Sequence, residues 1–250
     1  EGPTEEALTF LDRNFESCWT HLQQFVNASD APARSLHVLR SEKTVGRMVR
    51  HYAAYPALED PGNLVLDFNQ VIHTPAGPAI EAGWSWGDNQ KIDTVFFKEG
   101  DDWKLDWDAF VRFNTEPWSL FLAAQGGPTE GVFRVLARGR IGAAGKNDEY
   151  IALVLGVPRP GYPGELSLPS PEIRVKRATE AGRRIEEAFK AREQGLGAYG
   201  SRSVKNDPSG MIRLRVKIAR EGEAVRTYRI TELFGTHWLE LDEPPVKTED

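Results

Sequence analysis

The aspartate at position 67 has the setting that best suits acid–base chemistry. It lies between Leu66 and Phe68 in an alternating stretch, and alternation places it on the same face as Val65 and Val71. A carboxylate that points into an apolar interior has a raised pKa, because burial disfavours its charged form. A raised pKa brings the group closer to the range in which a general acid or base works at neutral pH. Asp67 is therefore a candidate catalytic residue, and the alternative is an acid on the outer face of a strand.

Four tryptophans form a candidate ligand-binding site. Trp84 and Trp86 share one face of one predicted strand, and Trp103 and Trp107 share one face of another. Aromatic side chains on neighbouring strands can stack across a sheet. This pattern leaves two interpretations open: a core beneath helices, or the lining of a pocket for an apolar ring or a sugar.

Alternating cations form a candidate anion-binding site. Arg213, Arg215 and Lys217 alternate with apolar residues, so we expect them on one face of a strand. Arg174 and Lys176 have the same spacing and would extend that face if their strand adjoins the first. Such a patch would bind a phosphate, an acidic glycan or nucleic acid through its charge, although few aromatic residues are present for base stacking, which disfavours nucleic acid. The alternatives are a solvated face or pairing with an acidic part of the chain.

Metal and cofactor motifs are missing. The five histidines, at positions 21, 37, 51, 73 and 237, show none of the close spacings of a zinc site, and a single cysteine rules out Cys-x-x-Cys. The Gly-x-Gly-x-x-Gly pattern at 195–200 follows a predicted helix rather than a strand, so it lacks the context of a dinucleotide fingerprint. We therefore expect no metal and no cofactor.

Helices followed by a sheet would position Asp67 and the tryptophans. Apolar residues recur at steps of three or four over 4–28 and 33–53, which predicts helices. From residue 63 the period changes to two, and tight turns separate predicted strands at 63–73, 79–86, 91–98 and 103–111. This order predicts an α+β fold in which N-terminal helices pack on a curved antiparallel sheet.

A smaller β-rich domain with one helix is predicted after a linker. The prolines and glycines between Pro117 and Pro128 place the boundary between domains 1–126 and 127–250. Strands are predicted at 131–138, 150–157, 172–178, 211–219, 225–234 and 237–241, with a helix at about 179–194. A five-stranded oligonucleotide- or oligosaccharide-binding barrel also places a helix between its third and fourth strands, and a small open sheet is the alternative. The polar tail from Glu243 contains two prolines and is predicted to be disordered.

Composition is that of an ordinary globular protein. The chain has 250 residues, of which 40% are hydrophobic and 27% charged, and its net charge is −6. Residues 1–120 carry 10 basic and 19 acidic side chains, whereas residues 134–229 carry 20 basic and 11 acidic ones. The single cysteine, Cys18, cannot form a disulfide within the chain, and no run of 18 apolar residues suggests a membrane span. Because the chain starts at Glu1 rather than Met, we expect a removed N-terminal segment, which leaves an extracytoplasmic or membrane-anchored location open.

The first half resembles the nuclear transport factor 2-like superfamily, which has a cystatin-like cone of helices and curved sheet. The resemblance covers about residues 5–120, and the chain is similar in this pattern to a group of uncharacterised bacterial envelope proteins. It rests on three features: Phe25-Val26-Asn27-Ala28 leading into Val38-Leu39-Arg40-Ser41, His51-Tyr52 before Pro56, and a hairpin ending Trp103-Lys104-Leu105-Asp106-Trp107.

The resemblance implies a pocket inside the cone. Enzymes of the superfamily carry Asp, His, Tyr or Arg there as acid–base groups, which adds Tyr52 and Tyr55 to Asp67 as candidate catalytic residues. Because the superfamily includes isomerases, dehydratases, hydrolases and pure binding modules, the resemblance implies a fold rather than an activity.

We expect a non-catalytic module that binds a small molecule or assembles with a protein. One such protein partner is a second copy of the chain, which would form a homodimer through the sheet. One alternative is an isomerase, dehydratase or hydrolase that acts on a small molecule in the cone pocket. The other is an anion or oligonucleotide binder that uses the basic strands of the second domain.

Overall fold

A computed structural model of the chain describes residues 3–57, 64–87, 90–140, 149–222 and 225–248. The chain divides into two compact units, Glu1–Val111 and Arg112–Asp250. The predicted α+β fold, with N-terminal helices followed by a curved antiparallel sheet, is confirmed. The second unit is the longer of the two and consists mainly of strands.

The first unit contains three helices, a four-stranded sheet and a short fourth helix. The helices are α1 (Glu5–Asn27), α2 (Ala31–Ser35) and α3 (Ser41–Ala54). The strands pair antiparallel in chain order, and they are β1 (Leu64–Thr74), β2 (Gly77–Trp86), β3 (Gln90–Glu99) and β4 (Asp102–Leu105). Helix α4 (Trp107–Phe110) follows the last strand.

Helix α1 begins at a cap and buries one apolar face. The Thr4 hydroxyl oxygen accepts the N–H of Ala7 at 3.2 Å, and Glu5 and Glu6 place negative charge at the positive end of the helix. Its buried residues lie on one face of the helix, and they are Leu11, Cys18, Leu22, Phe25 and Val26. Among the described residues, no helix is both long enough and apolar enough to cross a membrane.

The fourth strand ends earlier than its alternation predicts. Strand β4 stops at Leu105, because the Asp106 carboxylate accepts the N–H of Ala109 at 3.1 Å and begins α4. Asp106 is only 1% exposed, so it is a buried helix cap. The predicted strand 103–111 is therefore wrong beyond residue 105, and Trp107 belongs to a helix.

The second unit is built on a six-stranded sheet. A short helix, α5 (Trp118–Ala123), precedes its strands. The strands are β5 (Glu130–Gly139), β6 (Tyr150–Gly156), β9 (Ile173–Lys176), β10 (Met211–Glu221), β11 (Thr227–Gly235) and β12 (Val246–Lys247), in the spatial order β12-β11-β10-β5-β6-β9. A separate hairpin is formed by β7 (Pro158–Arg159) and β8 (Tyr162–Leu166), and α6 (Glu180–Glu193) lies between β9 and β10 in the chain.

This sheet curls around its core. Register shifts in the β10–β11 ladder, after Arg215 and after Lys217, strengthen its twist. Strand β11 also lies against β9, so the sheet curls toward closure. Its interior is filled by aliphatic and aromatic side chains from all five long strands and both helices. The helix α6 falls between the third and fourth of these five strands, as in the five-stranded barrel named above.

The predicted linker packs inside the second unit. Trp118, Phe121 and Leu122 of α5 are part of the core of this unit. The Arg220 guanidinium donates to the carbonyl oxygens at the end of α5 and just after it, at 2.9 to 3.3 Å, and these belong to Phe121, Ala124, Gly126 and Gly127. The compact units therefore divide before residue 112, and residues 112–126 belong with the second unit rather than the first.

Residues 246–248 are ordered where the sequence predicts a disordered tail. Val246 and Lys247 pair with β11, and the buried Thr248 hydroxyl donates to the carbonyl of Ile230. The strand predicted at 237–241 is wrong, because this segment is irregular. Its side chains and carbonyl groups instead cover the outer face of the sheet, as described below.

We expect Arg220→Lys to destabilise the second unit by about 2 kcal/mol. Lysine keeps the charge but lacks the planar fork, so several of the four carbonyl oxygens lose a donor. Urea unfolding measures the change. Arg229→Lys is the matched control, because Arg229 forms an exposed pair with Glu221 and its replacement should cost less than about 0.5 kcal/mol. Equal losses in the two variants would contradict this role of Arg220.

Candidate functional site

Asp67 lies on an exposed part of β1 rather than in an apolar interior. A β-bulge shifts the register between Leu66 and Phe68, so Val65 pairs with Ser85 but Val71 pairs with Ile80, and the two valines lie on opposite faces. Val65 is itself 62% exposed. Its carboxylate accepts hydrogen bonds from Ser85 at 2.7 Å and from Lys91 at 2.9 Å. Partial burial acts to raise its pKa, but the bonds from Ser85 and Lys91 outweigh burial and lower the pKa below its ordinary value. The expected apolar setting of Asp67 was wrong.

The two candidate tyrosines have separate surroundings. The Tyr52 hydroxyl accepts the indole N–H of Trp107 at 3.0 Å, and Arg34 lies over its ring. Burial raises the pKa of Tyr52. Tyr55, just after α3, is 49% exposed and packs against the His51 ring. Within the described residues, no contact brings Asp67 to either tyrosine, so these three side chains do not form a catalytic set.

Three of the four tryptophans are core residues of the first unit. Trp84 stacks on Trp19 of α1 at 5.0 Å, and its N–H donates to Thr94 at 2.9 Å. Trp103 is 2% exposed, and its N–H donates to Asn14 of α1 at 3.0 Å. With the indole of Trp107 bonded to Tyr52, all three N–H groups are occupied by protein acceptors.

The tryptophans therefore hold the helices on the sheet. Trp84, Trp103 and Trp107 are 1% to 3% exposed, which leaves them no surface for a ligand. Trp86, at the end of β2 opposite Leu64, is the half-buried exception. The proposed ligand-binding role of these side chains was wrong for the three buried residues.

The cations of β10 are used inside the second unit. Arg213 pairs with Asp207 at 2.6 Å and stacks on the Trp238 ring at 4.3 Å. Arg215 pairs with Glu240 at 3.1 Å and donates to the carbonyl of Leu239 at 2.8 Å. Lys217 pairs with Glu130 at 2.8 Å. These three side chains are not an open anion-binding patch, because carboxylates of the same unit neutralise them.

A second buried arginine completes this network. Arg134 on β5 lies directly opposite Arg215 on β10, and it is 2% exposed. Its guanidinium donates to the carbonyls of Trp238 and Phe113 and to Glu240, at 2.5 to 2.7 Å. Glu240 therefore bridges two arginines and fastens the 237–241 segment to the outer face of the sheet.

Arg174 and Lys176 lie on β9, which β5 and β6 separate from β10. Their cross-strand neighbours are Ala152 and Tyr150 of β6, so all four share one outward face. Both cations are exposed, as is Arg138 of β5. The expectation that the two basic strands adjoin was wrong, but cations remain exposed on the β5–β6–β9 side of the sheet.

A pocket of about 330 Å3 opens on the second unit between α6, the turn at 196–199 and the segment 235–243. Residues of α6 at helical spacing form one wall: Arg184, Glu187, Ala188 and Ala191. Polar groups of the loops face them: Tyr199, His237 and Glu243. Apolar side chains line another part of the pocket: Leu196, Val204 and Ile212. Arg192, Arg213 and Thr236 line it as well.

Helix α6 is held closely against the end of β9. The Thr179 hydroxyl oxygen accepts the N–H of Gly182 at 3.1 Å and caps the helix. A Cβ atom at Gly182 would lie 2.1 Å from the carbonyl oxygen of Lys176, so only glycine permits this approach. This contact places the wall that carries Arg184 and Ala191.

His237 is a buried, neutral hydrogen-bonding group of the pocket. Its Nδ1 accepts the N–H of Leu239 at 3.1 Å, which assigns the ring proton to Nε2. Nε2 lies 3.4 Å from the Tyr199 hydroxyl and 3.9 Å from a Glu243 oxygen. Burial, assisted by the charges of Arg215 and Arg134, lowers the pKa of His237 to about 3.

Tyr199 is held in place by a left-handed backbone. Its φ of 57° and ψ of 22° are uncommon for a residue other than glycine and cost on the order of 1 kcal/mol. The turn is closed by the N–H of Gly200, which donates to the carbonyl of Gly197 at 3.2 Å. Burial, followed by the charge of Glu243 and a hydrogen bond to it, raises the pKa of Tyr199 to about 12.

Gly235 makes room for the imidazole. A Cβ atom at this position would lie 2.5 Å from His237 Nε2, so a larger residue would displace the ring. The end of β11 thus supplies the space, and the 237–243 segment supplies the ring and the carboxylate.

Sequence reasoning missed this pocket. Tyr199 lies inside the run of glycines at 195–200, which predicted a loop without a role. The signal that was present is a lone aromatic residue between glycines, at a place where the chain must turn. His237 and Glu243 carried no local signal, because their proximity to Tyr199 depends on the buried arginines.

Comparisons of the chain with protein families, with curated proteins and with solved structures gave no match.

Acid should destabilise the second unit through His237. In the unfolded chain this histidine has its ordinary pKa of 6.5, whereas in the folded protein the pKa is about 3. Between these values the unfolded state binds a proton that the folded state does not. The free energy of unfolding should therefore fall with falling pH, by about 1.4 kcal/mol per pH unit from this group.

His237→Asn tests this effect, because its Oδ1 can still accept the N–H of Leu239. Urea unfolding at a series of pH values should show a shallower loss of stability for this variant than for the wild type. His73→Asn, at an exposed position on β1, is the control and should follow the wild type. Parallel curves for the wild type and His237→Asn would contradict the assignment.

Proposed function

We propose that this protein is a non-catalytic binding module whose ligand site is the pocket on the second unit. The observation that carries the proposal is the meeting of His237, Tyr199 and Glu243 over an apolar wall in a pocket of about 330 Å3. Ligand sites are concave, mostly apolar, and have a few polar groups that fix orientation.

The chemistry of this pocket supports binding rather than catalysis. A general acid or base works best when its pKa is near the operating pH. The pKa of His237, about 3, and that of Tyr199, about 12, lie on either side of neutrality, so both groups stay neutral. Among the described residues that line the pocket, none is a serine or a cysteine that would serve as a nucleophile.

The alternative of an enzyme in the first unit has less support. It relied on Asp67 with Tyr52 or Tyr55, and the described contacts of Asp67 are with Ser85 and Lys91. The expected tryptophan pocket is likewise filled by contacts with α1.

The proposed family of the first unit is the nuclear transport factor 2-like superfamily. Its support is the order of elements, in which three helices precede a four-stranded antiparallel sheet whose inner face packs on α1. Because that superfamily contains pure binding modules, the proposed family is consistent with the proposed function.

Filling the pocket tests the proposed function. Ala191 lies on the pocket wall and outside the apolar core, so Ala191→Trp should fill the pocket without disturbing the fold. In ligand-observed NMR with a chemically diverse set of small molecules, the wild type should bind members of the set, and Ala191→Trp should bind them at least about tenfold more weakly.

Lys190→Trp is the matched control, because Lys190 is exposed on the same helix and does not line the pocket. It should bind as the wild type does. Equal binding by the wild type and Ala191→Trp, or no binding by the wild type, would refute the proposed site.

A second candidate function is anion binding by the exposed basic face of β5, β6 and β9. Arg138 and Lys176 are exposed on this face, and Arg140 and Arg174 flank Glu172 at 3.2 and 2.9 Å. Among the described residues of this face, four cations against one carboxylate give a positive potential, and Ala152 and Val154 form its floor between the two rows.

We expect Lys176→Glu to elute from a heparin column at lower salt than the wild type. The substitution reverses a charge in the basic face and weakens a salt-dependent interaction with a polyanion. Lys190→Glu makes the same change in net charge on an exposed position of α6 and should elute with the wild type. Equal shifts in both variants, or flow-through of the wild type at low salt, would remove this candidate.

A further inference from the structure

We propose that the pocket of the second unit binds a neutral, hydroxyl-rich molecule, namely a monosaccharide or a short oligosaccharide. This inference rests on the proposed function and names the chemistry of the ligand. It follows from the direction of the hydrogen bonds in the pocket, the balance of its charges and the nature of its walls.

The hydrogen bonds leave a donor directed at the pocket. Because Nδ1 of His237 accepts from Leu239, the Nε2–H is the donor, and its neighbours are the Tyr199 oxygen at 3.4 Å and Glu243 at 3.9 Å. Both distances exceed the usual 2.7–3.2 Å of an N–H···O hydrogen bond. His237 is 7% exposed, so water has little access to this donor. A ligand oxygen at this position would complete its hydrogen bonding.

Acceptors lie beside this donor. Glu243 accepts from the Tyr199 hydroxyl, and its carboxylate has further lone pairs. Glu187 presents a second carboxylate from α6, whereas Arg184 on the same wall presents N–H donors. A hydroxyl group donates and accepts at once, so neighbouring hydroxyls of one ligand can satisfy His237 and Glu243 together.

The lining of the pocket carries charges of both signs. Its cations are Arg184, Arg192 and Arg213, of which Arg184 is paired with Glu180 and Arg213 with Asp207, each at 2.6 Å. Its carboxylates are Glu187 and Glu243. A ligand of either charge therefore meets a group of its own sign, whereas a neutral ligand can use the donors and the acceptors together.

The remaining walls suit the apolar faces of a sugar ring. Ala191, Leu196 and Val204 line the pocket next to the Tyr199 ring. Carbon-bound hydrogens of a pyranose pack on such surfaces while its hydroxyls point to the polar groups. The left-handed backbone of Tyr199 holds that ring before a ligand arrives, which lowers the cost of ordering the site.

Calorimetric titration with matched sugars tests this inference. The probes are D-glucose and maltose, which are neutral, with D-glucuronate and D-glucosamine as anionic and cationic analogues that keep the pyranose ring. We expect one of the neutral sugars to bind, and the charged analogues to bind at least about tenfold more weakly. Tighter binding of glucuronate or glucosamine than of the neutral sugars would overturn the inference.

Two variants assign the binding to the pocket. Tyr199→Phe removes one hydroxyl and should weaken sugar binding at least about tenfold, because Glu243 loses the hydrogen bond from Tyr199 that holds its carboxylate in the pocket. Tyr228→Phe is the control, since the Tyr228 hydroxyl donates to the carbonyl of Leu122 outside the pocket. Sugar binding that is unchanged in Tyr199→Phe would overturn the inference.

The result also separates this inference from the proposed function. If the diverse set binds in a manner that Ala191→Trp abolishes and none of the four sugars binds, the ligand class is wrong and the binding module stands. If nothing binds the wild type, both are wrong.

Discussion

Two buried guanidinium groups organise the second unit. Arg134 and Arg215 lie opposite each other on β5 and β10, at 2% and 8% exposure, and both face Glu240. Removing a charge from water costs several kcal/mol, which is recovered only when partners are close and the remaining donors are satisfied. The carbonyl groups of Phe113, Trp238 and Leu239 provide those partners. The path of the 237–241 segment is therefore dictated by the arginines beneath it.

The pocket depends on these contacts between the two arginines and the 237–241 segment. The residue before Trp238 is His237, and Glu243 follows three residues after Glu240, so both are carried to the same side of the sheet. Trp238 also fixes this segment, because Arg112 and Arg213 lie over its ring at 5.0 and 4.3 Å. The same positive charges help to keep His237 neutral, since they lower its pKa. Position and protonation state of the histidine thus have one physical origin.

Periodicity predicted most of the elements but not their irregularities. The apolar spacing of α1 and the alternation of β10 correspond to observed helix and strand, because those patterns report burial directly. Asp67 shows the limit: a bulge places Val65 and Val71 on opposite faces, and Asp67 lies with Ser85 and Lys91 on the exposed one. Asp106 shows another, because a carboxylate that looks like part of a strand is a buried helix cap.

The candidate site was harder to predict than the fold. Trp84 and Trp103 were correctly placed on strands, although Trp107 belongs to a helix. Sequence alone does not say that α1 covers Trp84 and Trp103. The pocket unites residues 184, 199, 237 and 243, which are far apart in sequence, and only the strand order brings them together. The domain boundary was also hard to predict from the sequence. The glycines at 126 and 127 resembled a linker, but Arg220, about a hundred positions away, donates to their carbonyl oxygens.

Counting charges along the chain overstates the positive charge that the surface exposes. The segment 134–229 has nine more basic than acidic residues, yet its arginines are of two kinds. One kind binds carboxylates and carbonyl oxygens inside the unit, and it comprises Arg134, Arg213, Arg215 and Arg220. Arg138, Arg174 and Lys176 remain exposed. Since a buried arginine needs several acceptors and an exposed one needs none from the protein, the same residue type binds the 237–241 segment on one part of the outer face and leaves a positive surface on another.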